Sequence, residues 1–186
     1  DKMDEKLRSV TRDAAINDEG IFYVYWDEDK GRPVHEVIKK NDIYYGNEND
    51  EDIQSQPYIL IRKRMPVANA HEFAQREGAS EEDLLYIVGD TDTFEESGEA
   101  AKLELDDMVT VIYKLYKKGG TVHFSIATRY VDIADDIDSG LTLYPGAHMT
   151  WEEKEGSARG EGEVRSLIPN QIEVNKTEMR RVLTVF

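Results

Sequence analysis

Two β-rich runs, residues 108–116 (MVTVIYKLY) and 121–128 (TVHFSIAT), flank Lys117-Lys118-Gly119-Gly120, and no other stretch constrains the fold as strongly. Both glycines tolerate the positive φ of a tight turn between antiparallel strands, and β-branched and aromatic residues fit a pleated, half-buried surface. The middle of the chain therefore reads as antiparallel sheet. Residues 21–26 (IFYVYW) form six aromatic or β-branched positions in a row, the pattern of a strand with both faces covered. A polar stretch ending in Gly31 returns the chain into residues 34–38, and residues 42–45 and 58–61 supply two more short strands. Residues 130–133, 141–144 and 149–151 are read as further strand, the last two around Pro145-Gly146.

Helical periodicity appears at both ends. Met3, Leu7, Val10 and Ala14 stack on one face of a first amphipathic helix. Pro66 suits a helix start, and Gly78 suits the residue just past a helix end. Ser80 ahead of Glu81-Glu82-Asp83 reads as a capping box for a short helix carrying Leu84, Leu85 and Val88. After residue 163, Val164, Leu167, Ile168, Ile172, Met179, Val182 and Leu183 recur largely at helical spacing, with Pro169 inside the pattern. An interior proline costs about 3 kcal/mol or bends the helix, so the expectation is a long helix kinked near Leu167, or two helices meeting there. Residues 46–56 and 89–99 read as exposed or mobile polar loops, and the Gly-rich stretch 156–162 (GSARGEG) as a flexible connector. The fold class is α+β: an antiparallel-rich sheet packed with an N-terminal helix, short middle helices and a long kinked C-terminal helix.

Chemistry is harder to find. With no Cys there is no disulfide framework, thiolate nucleophile or Cys-ligated metal, and the expectation is an intracellular chain. The net charge of −16 disfavours a phosphate-tracking surface, and no apolar run approaches the roughly 20 residues that span a bilayer. Acidic loops starting at Asp90 and Asp132 lack the Gly at position 6 of a calcium-binding EF-hand loop. His35, His71, His123 and His148 show no metal-ligand spacing, and there is no nucleophile elbow, P-loop or dinucleotide fingerprint. No catalytic, cofactor-binding or metal residue is assigned, and no cofactor is expected. Basic residues gather at Arg62-Lys63-Arg64 and at Lys176, Arg180 and Arg181, where ion pairs within the chain or between subunits are the simplest use.

Residues 166–185 (SLIPNQIEVNKTEMRRVLTV) resemble the helix entering the stem of bacteriophage portal proteins, the head-to-tail connectors of tailed phages. Three further stretches are similar to the wing region that precedes that helix: residues 12–29 (RDAAINDEGIFYVYWDED), 41–64 (NDIYYGNENDEDIQSQPYILIRKR) and 139–164 (SGLTLYPGAHMTWEEKEGSARGEGEV). The resemblance implies a wing-like α+β domain over residues 1–160 and the start of a stem-like helix over 161–186, a fragment of a longer polypeptide. It further implies a structural, non-enzymatic subunit of a ring at the capsid vertex, in the virion and, during assembly, in the host cytoplasm. Its partners would be identical subunits, the terminase, capsid and head-completion proteins, and DNA passing through the channel without sequence-specific binding, with no membrane. Asn175, Lys176, Arg180 and Arg181 are then the candidate intersubunit or channel-facing contacts, and the isolated fragment is expected to be a monomer or weak oligomer. Two other functions compete: a carbohydrate- or peptide-binding module using Tyr23, Tyr25, Trp26, Tyr44 and Tyr45, and a metal-assisted hydrolase.

Overall fold

A computed structural model describes residues 2–27, 30–90 and 108–184. The expected α+β class is what the chain adopts, with four helices and two antiparallel sheets among the described residues. The loop read over residues 89–99 falls almost wholly outside the described residues. Compactness divides the chain into one unit of residues 1–41, 47–55 and 145–186 and a second of residues 42–46 and 56–144.

In the first unit, helix α1 (Met3–Asn17) leads into strand β1 (Glu19–Asp27), which pairs with β2 (Arg32–Ile38). A later strand of this sheet, residues Gly146–Thr150, flanks β1 on the other side, and the unit ends in a helix over Glu163–Thr184. Of the predicted α1 stripe, Val10 and Ala14 are buried, whereas Met3 and Leu7 are exposed. Gly20 explains the close approach of helix and strand, because a Cβ there would lie 2.4 Å from the Val10 carbonyl oxygen. The strand read as covered on both faces is so only at its start. Ile21 and Phe22 are buried, but the third strand pairs only with Glu19–Tyr23, so β1 outruns that neighbour and Trp26 is 63% exposed. Gly31 sits at φ 58°, as a hairpin loop requires.

The second unit is a five-stranded antiparallel meander in sequence order: β3 (Ile43–Tyr45), β4 (Tyr58–Pro66), β5 (Met108–Lys118), β6 (Thr121–Ala127) and β7 (Asp132–Asp138). The hairpin predicted around residues 117–120 joins β5 to β6, with Lys118 opposite Thr121 and positive φ at Gly119 and Gly120. Pro66 closes β4 and immediately precedes α2 (Val67–Arg76), followed by Gly78 at φ 88°. Ser80 and Asp83 form the capping box that starts α3 (Glu81–Leu85). Ala70 and Ala74 of α2 pack on Val109, Val111, Ile126 and Ile133, with Ile87 completing that core.

Four local expectations change or are decided. Residues 141–144 are not a strand: Tyr144 is buried and its hydroxyl donates to the Gln56 carbonyl at 2.8 Å, an anchor that replaces a ladder. Gln56, at the end of a stretch read as too polar to bury, is 1% exposed. The strand expected from residue 149 begins instead at Gly146 and ends at Thr150; it is β8, and the last helix is α4. That helix runs unbroken over 22 residues with Pro169 inside it, not as two helices. Pro169 lies in the second turn, where a missing N–H removes a single bond to the preceding turn.

Candidate subunit interface

The base of α4 is built on a buried charge. Glu19, the first residue of β1, has a side chain with no solvent exposure, and its carboxylate accepts from the Arg159 guanidinium and from His148 Nε2 at 3.1 Å. Arg159 Nε also donates to Glu48 Oε1 at 3.3 Å, so one guanidinium joins two acids. A buried carboxylate is tolerated only when paired and hydrogen-bonded, and this one is.

Arg159 belongs to the stretch read as a flexible connector, and the structure corrects that reading. Ala158 is 1% exposed and its N–H donates to the Glu48 carbonyl at 2.8 Å. A Cβ on Gly160 would lie 2.5 Å from the Glu152 carbonyl oxygen, and one on Gly162 would lie 3.0 Å from both the Asp18 nitrogen and the Ile16 carbonyl oxygen. The glycines are there because backbone packs on backbone, not to loosen the chain. Glu152 and Glu161 exchange backbone hydrogen bonds, and Trp151 Nε1 donates to Glu163 Oε2 at 3.2 Å, tying the segment to the first residue of α4. Beside it, a polar cleft of about 520 Å³ is lined by residues including Glu51, His148, Glu153 and Glu155. With the Glu19 carboxylate covered and engaged on both oxygens, this cluster acts as a clamp.

α4 itself is the opposite. Every described side chain from Glu163 to Leu183 is exposed. At about 100° per residue, Val164, Ile168, Ile172, Met179, Val182 and Leu183 fall on one strip, and Leu167 with Val174 on an adjoining one. Together they give the helix an apolar arc of about half its circumference, far more than a solvated helix carries. Asn175 interrupts the first strip and accepts a hydrogen bond from Gln171 at 2.9 Å, and Gln171 and Glu178 fall between the two strips. Lys176 and Arg180 share one flank of that strip, Lys176 paired with Glu173 at 2.8 Å, while Arg181 lies on the other side of the arc near Glu178 at 3.8 Å. The four residues singled out from the sequence are thus all exposed, one within the apolar arc and three along its borders. Helical spacing was sufficient to place them on α4. Nothing in the local sequence signals the Glu19 clamp, whose partners lie 129 and 140 residues away.

Among the described residues no three His, Cys, Asp or Glu side chains converge as metal ligands. The histidines are dispersed: His71 Nε2 meets the Ile87 carbonyl at 2.9 Å, His123 Nδ1 lies 2.8 Å from Asp136, and His148 serves Glu19. The aromatics of the competing binding-module reading divide between the units. Tyr23 and Tyr25 stack at 5.7 Å in the first, where burial above all, then Glu36, pushes the Tyr23 phenol up to about 12, and in the second Tyr45 is buried while Tyr44 is exposed. No described helix is long and apolar enough to cross a membrane. The chain matches no protein-family model and no curated protein.

Proposed function

We propose that this chain is part of a structural ring subunit of the phage portal kind, and that α4 is where neighbouring copies meet. The observation that carries the reading is the exposed apolar arc of α4, which no described element of the first unit covers. An arc this wide serves two contacts, one on each side, as a closed ring with head-to-tail interfaces requires of every subunit. Cations mark both borders, Lys176 and Arg180 on one and Arg181 on the other, and the apolar strips between them are left for the neighbouring copies. The resemblance of residues 166–185 to the helix entering a portal stem supports the same use. In that assembly the chain performs no chemistry; it positions the channel for DNA, the packaging terminase and the head-completion proteins.

Sedimentation equilibrium of the 186-residue chain tests the contact. Weak, concentration-dependent association is expected, abolished in Ile172→Asp and Met179→Asp with an unchanged circular dichroism spectrum. A stable closed ring formed by this chain alone, or association that ignores both substitutions, removes the reading. Immunogold labelling of phage particles with an antibody to this chain tests the location: gold at a single vertex is expected, and gold spread over the shell contradicts it.

A further inference from the structure

The first strip of α4 is apolar except at its middle. Ile168, Ile172, Asn175, Met179 and Val182 succeed one another at spacings of 4, 3, 4 and 3, the repeat that keeps one seam of a helix turned toward another helix. At about 100° per residue the five span about 80° of the helix surface, and every one is exposed. Four are aliphatic or thioether side chains, and the fifth is an amide. Gln171 and Glu178 lie beside it between the two strips, so a polar belt crosses the arc at mid-height. Val164, Leu167 and Ile168 lie on the side of the belt nearer the clamp, and Met179, Val182 and Leu183 lie beyond it.

An Asn amide offers two N–H donors and an oxygen with two lone pairs, and the bond from Gln171 Nε2 to Asn175 Oδ1 at 2.9 Å engages one lone pair. A wholly apolar partner, a lipid surface included, would strip water from the rest and replace it with nothing. A second α4 carries the same belt at the same height. The size of the contact argues for selection by mismatch rather than by affinity. Over its 22 residues the helix is about 33 Å long and about 10 Å wide, so one side-by-side contact covers roughly 300 Å² per copy, against about 800 Å² in a standard stable interface. A contact so small holds copies weakly, and its apolar strips alone would fit nearly as well after a slip along the helix.

We propose that Asn175 sets the axial register of the α4 contact between two copies of this chain. Cyclic symmetry keeps neighbouring helices parallel and level, so the belt of one copy meets the belt of the next and amide meets polar group. A slip of one heptad, about 10.5 Å, brings Asn175 to the level of Ile168 or Val182 and leaves its amide dry among apolar side chains. A polar residue in an apolar seam lowers affinity and in return specifies a single alignment. The inference rests on the ring reading given above and adds to it the residue that levels the copies.

Sedimentation and double electron–electron resonance of the full 186-residue chain test it. The chain has no Cys, so Thr177→Cys, on the side of α4 away from the arc, carries a single nitroxide. One dominant distance between copies is expected from the labelled chain. Asn175→Leu is expected to tighten association about tenfold and to spread the distances over several alignments, while Asn175→Gln, which keeps the amide, retains one distance. A single distance retained in Asn175→Leu, association that this variant weakens or leaves unchanged, or distances spread as widely by Asn175→Gln overturns the proposal. So does an equal effect from Asn170→Leu, which lies outside the arc. If Ile172→Asp abolishes association while Asn175→Leu changes nothing, the ring reading stands and the register role fails. If association ignores Ile172→Asp and Met179→Asp alike, both fall. A chain that does not associate at any concentration reached overturns the register role and leaves the ring reading to the particle labelling. The substituted positions are exposed, and an unchanged circular dichroism spectrum verifies that each variant is folded.

Discussion

Residues 156–162 and helix α4 are neighbours in the chain and opposites in composition, and each does what the other's composition advertises. The Gly-rich, charged stretch is packed against backbone on several sides and carries the arginine that neutralises a buried carboxylate. The helix with eight large apolar side chains leaves all of them exposed. Burial follows what surrounds a segment rather than how apolar it is. A glycine is buried where two main chains must touch, and a valine stays exposed where its own unit supplies no second surface. The contrast also separates two roles: the stretch is finished structure, and the helix is, on the proposed reading, half of a contact.

Substitutions in the two regions should therefore behave oppositely. The largest effect is expected at Glu19→Ala, which strands Arg159 and His148 beside a void; loss of one partner of a buried pair costs about 3–5 kcal/mol, read as a drop in the urea midpoint. A change below about 1 kcal/mol there would mean that the clamp is ornamental and would break the contrast. Gly160→Ala comes next, at about 1–3 kcal/mol, since its Cβ would meet the Glu152 carbonyl oxygen and the backbone must move. Ser80→Ala, which removes the capping box of α3, is expected to cost about 1 kcal/mol and calibrates an ordinary local contact against the clamp. On α4, Ile172→Ser should leave the stability of the monomer, read from its urea midpoint, within about 0.5 kcal/mol of the unmodified chain, because the side chain is exposed, and on the proposed reading it should reduce association.

Titration sharpens the same distinction between covered and open groups. The Lys118 ammonium, then the Tyr116 hydroxyl, hold the Asp136 carboxyl down at about 2 from its ordinary 3.8. Its stabilising contribution is complete above about pH 4 and is lost as the pH falls toward 2, so Asp136→Asn should flatten the acid side of the stability profile in that window. Tyr23 has the other sign. Burial, with Glu36 and Tyr25 adding to it, holds its phenol neutral up to about 12, so its contribution is complete below pH 10 and fades as the pH rises through 12. Tyr23→Phe should remove that alkaline loss, followed by phenolate absorbance and by circular dichroism. The acid effect, coming from an exposed network, should shrink in high salt; the alkaline one, coming chiefly from burial, should not.

Features set by a few adjacent residues were legible before any coordinates. The Gly119-Gly120 turn, the Ser80 capping box, Gly78 after α2 and the apolar spacing of α4 all rest on backbone preference or on helical period. Misreadings arose where a distant group decides. Residues 141–144 look like a strand until Tyr144 finds the Gln56 carbonyl, 88 residues away. Asp136 adopts φ 51° in a bulged stretch of β7 beside its Tyr116 and Lys118 partners on β5, and nothing in Asp132–Asp138 alone announces it. Asn175, Lys176, Arg180 and Arg181 could be placed on α4 from spacing alone, but the face that Arg62, Arg64 and Lys114 share on the second sheet could not. It exists because β4 and β5 pair in a register that puts Arg62, Arg64 and Lys114 on one side.

By itself the sequence determined the α+β class, the central hairpin, the helical ends and the strongly acidic charge, since each follows from propensities that act over one or two turns or from a count. Only the tertiary structure decided that Glu19 is buried on Arg159, that the glycines of 156–162 mark close packing, and that the apolar arc of α4 is left uncovered. Those outcomes depend on which surfaces meet across more than a hundred residues of chain, and desolvating a charge or an apolar side chain is a property of that meeting, not of the residue.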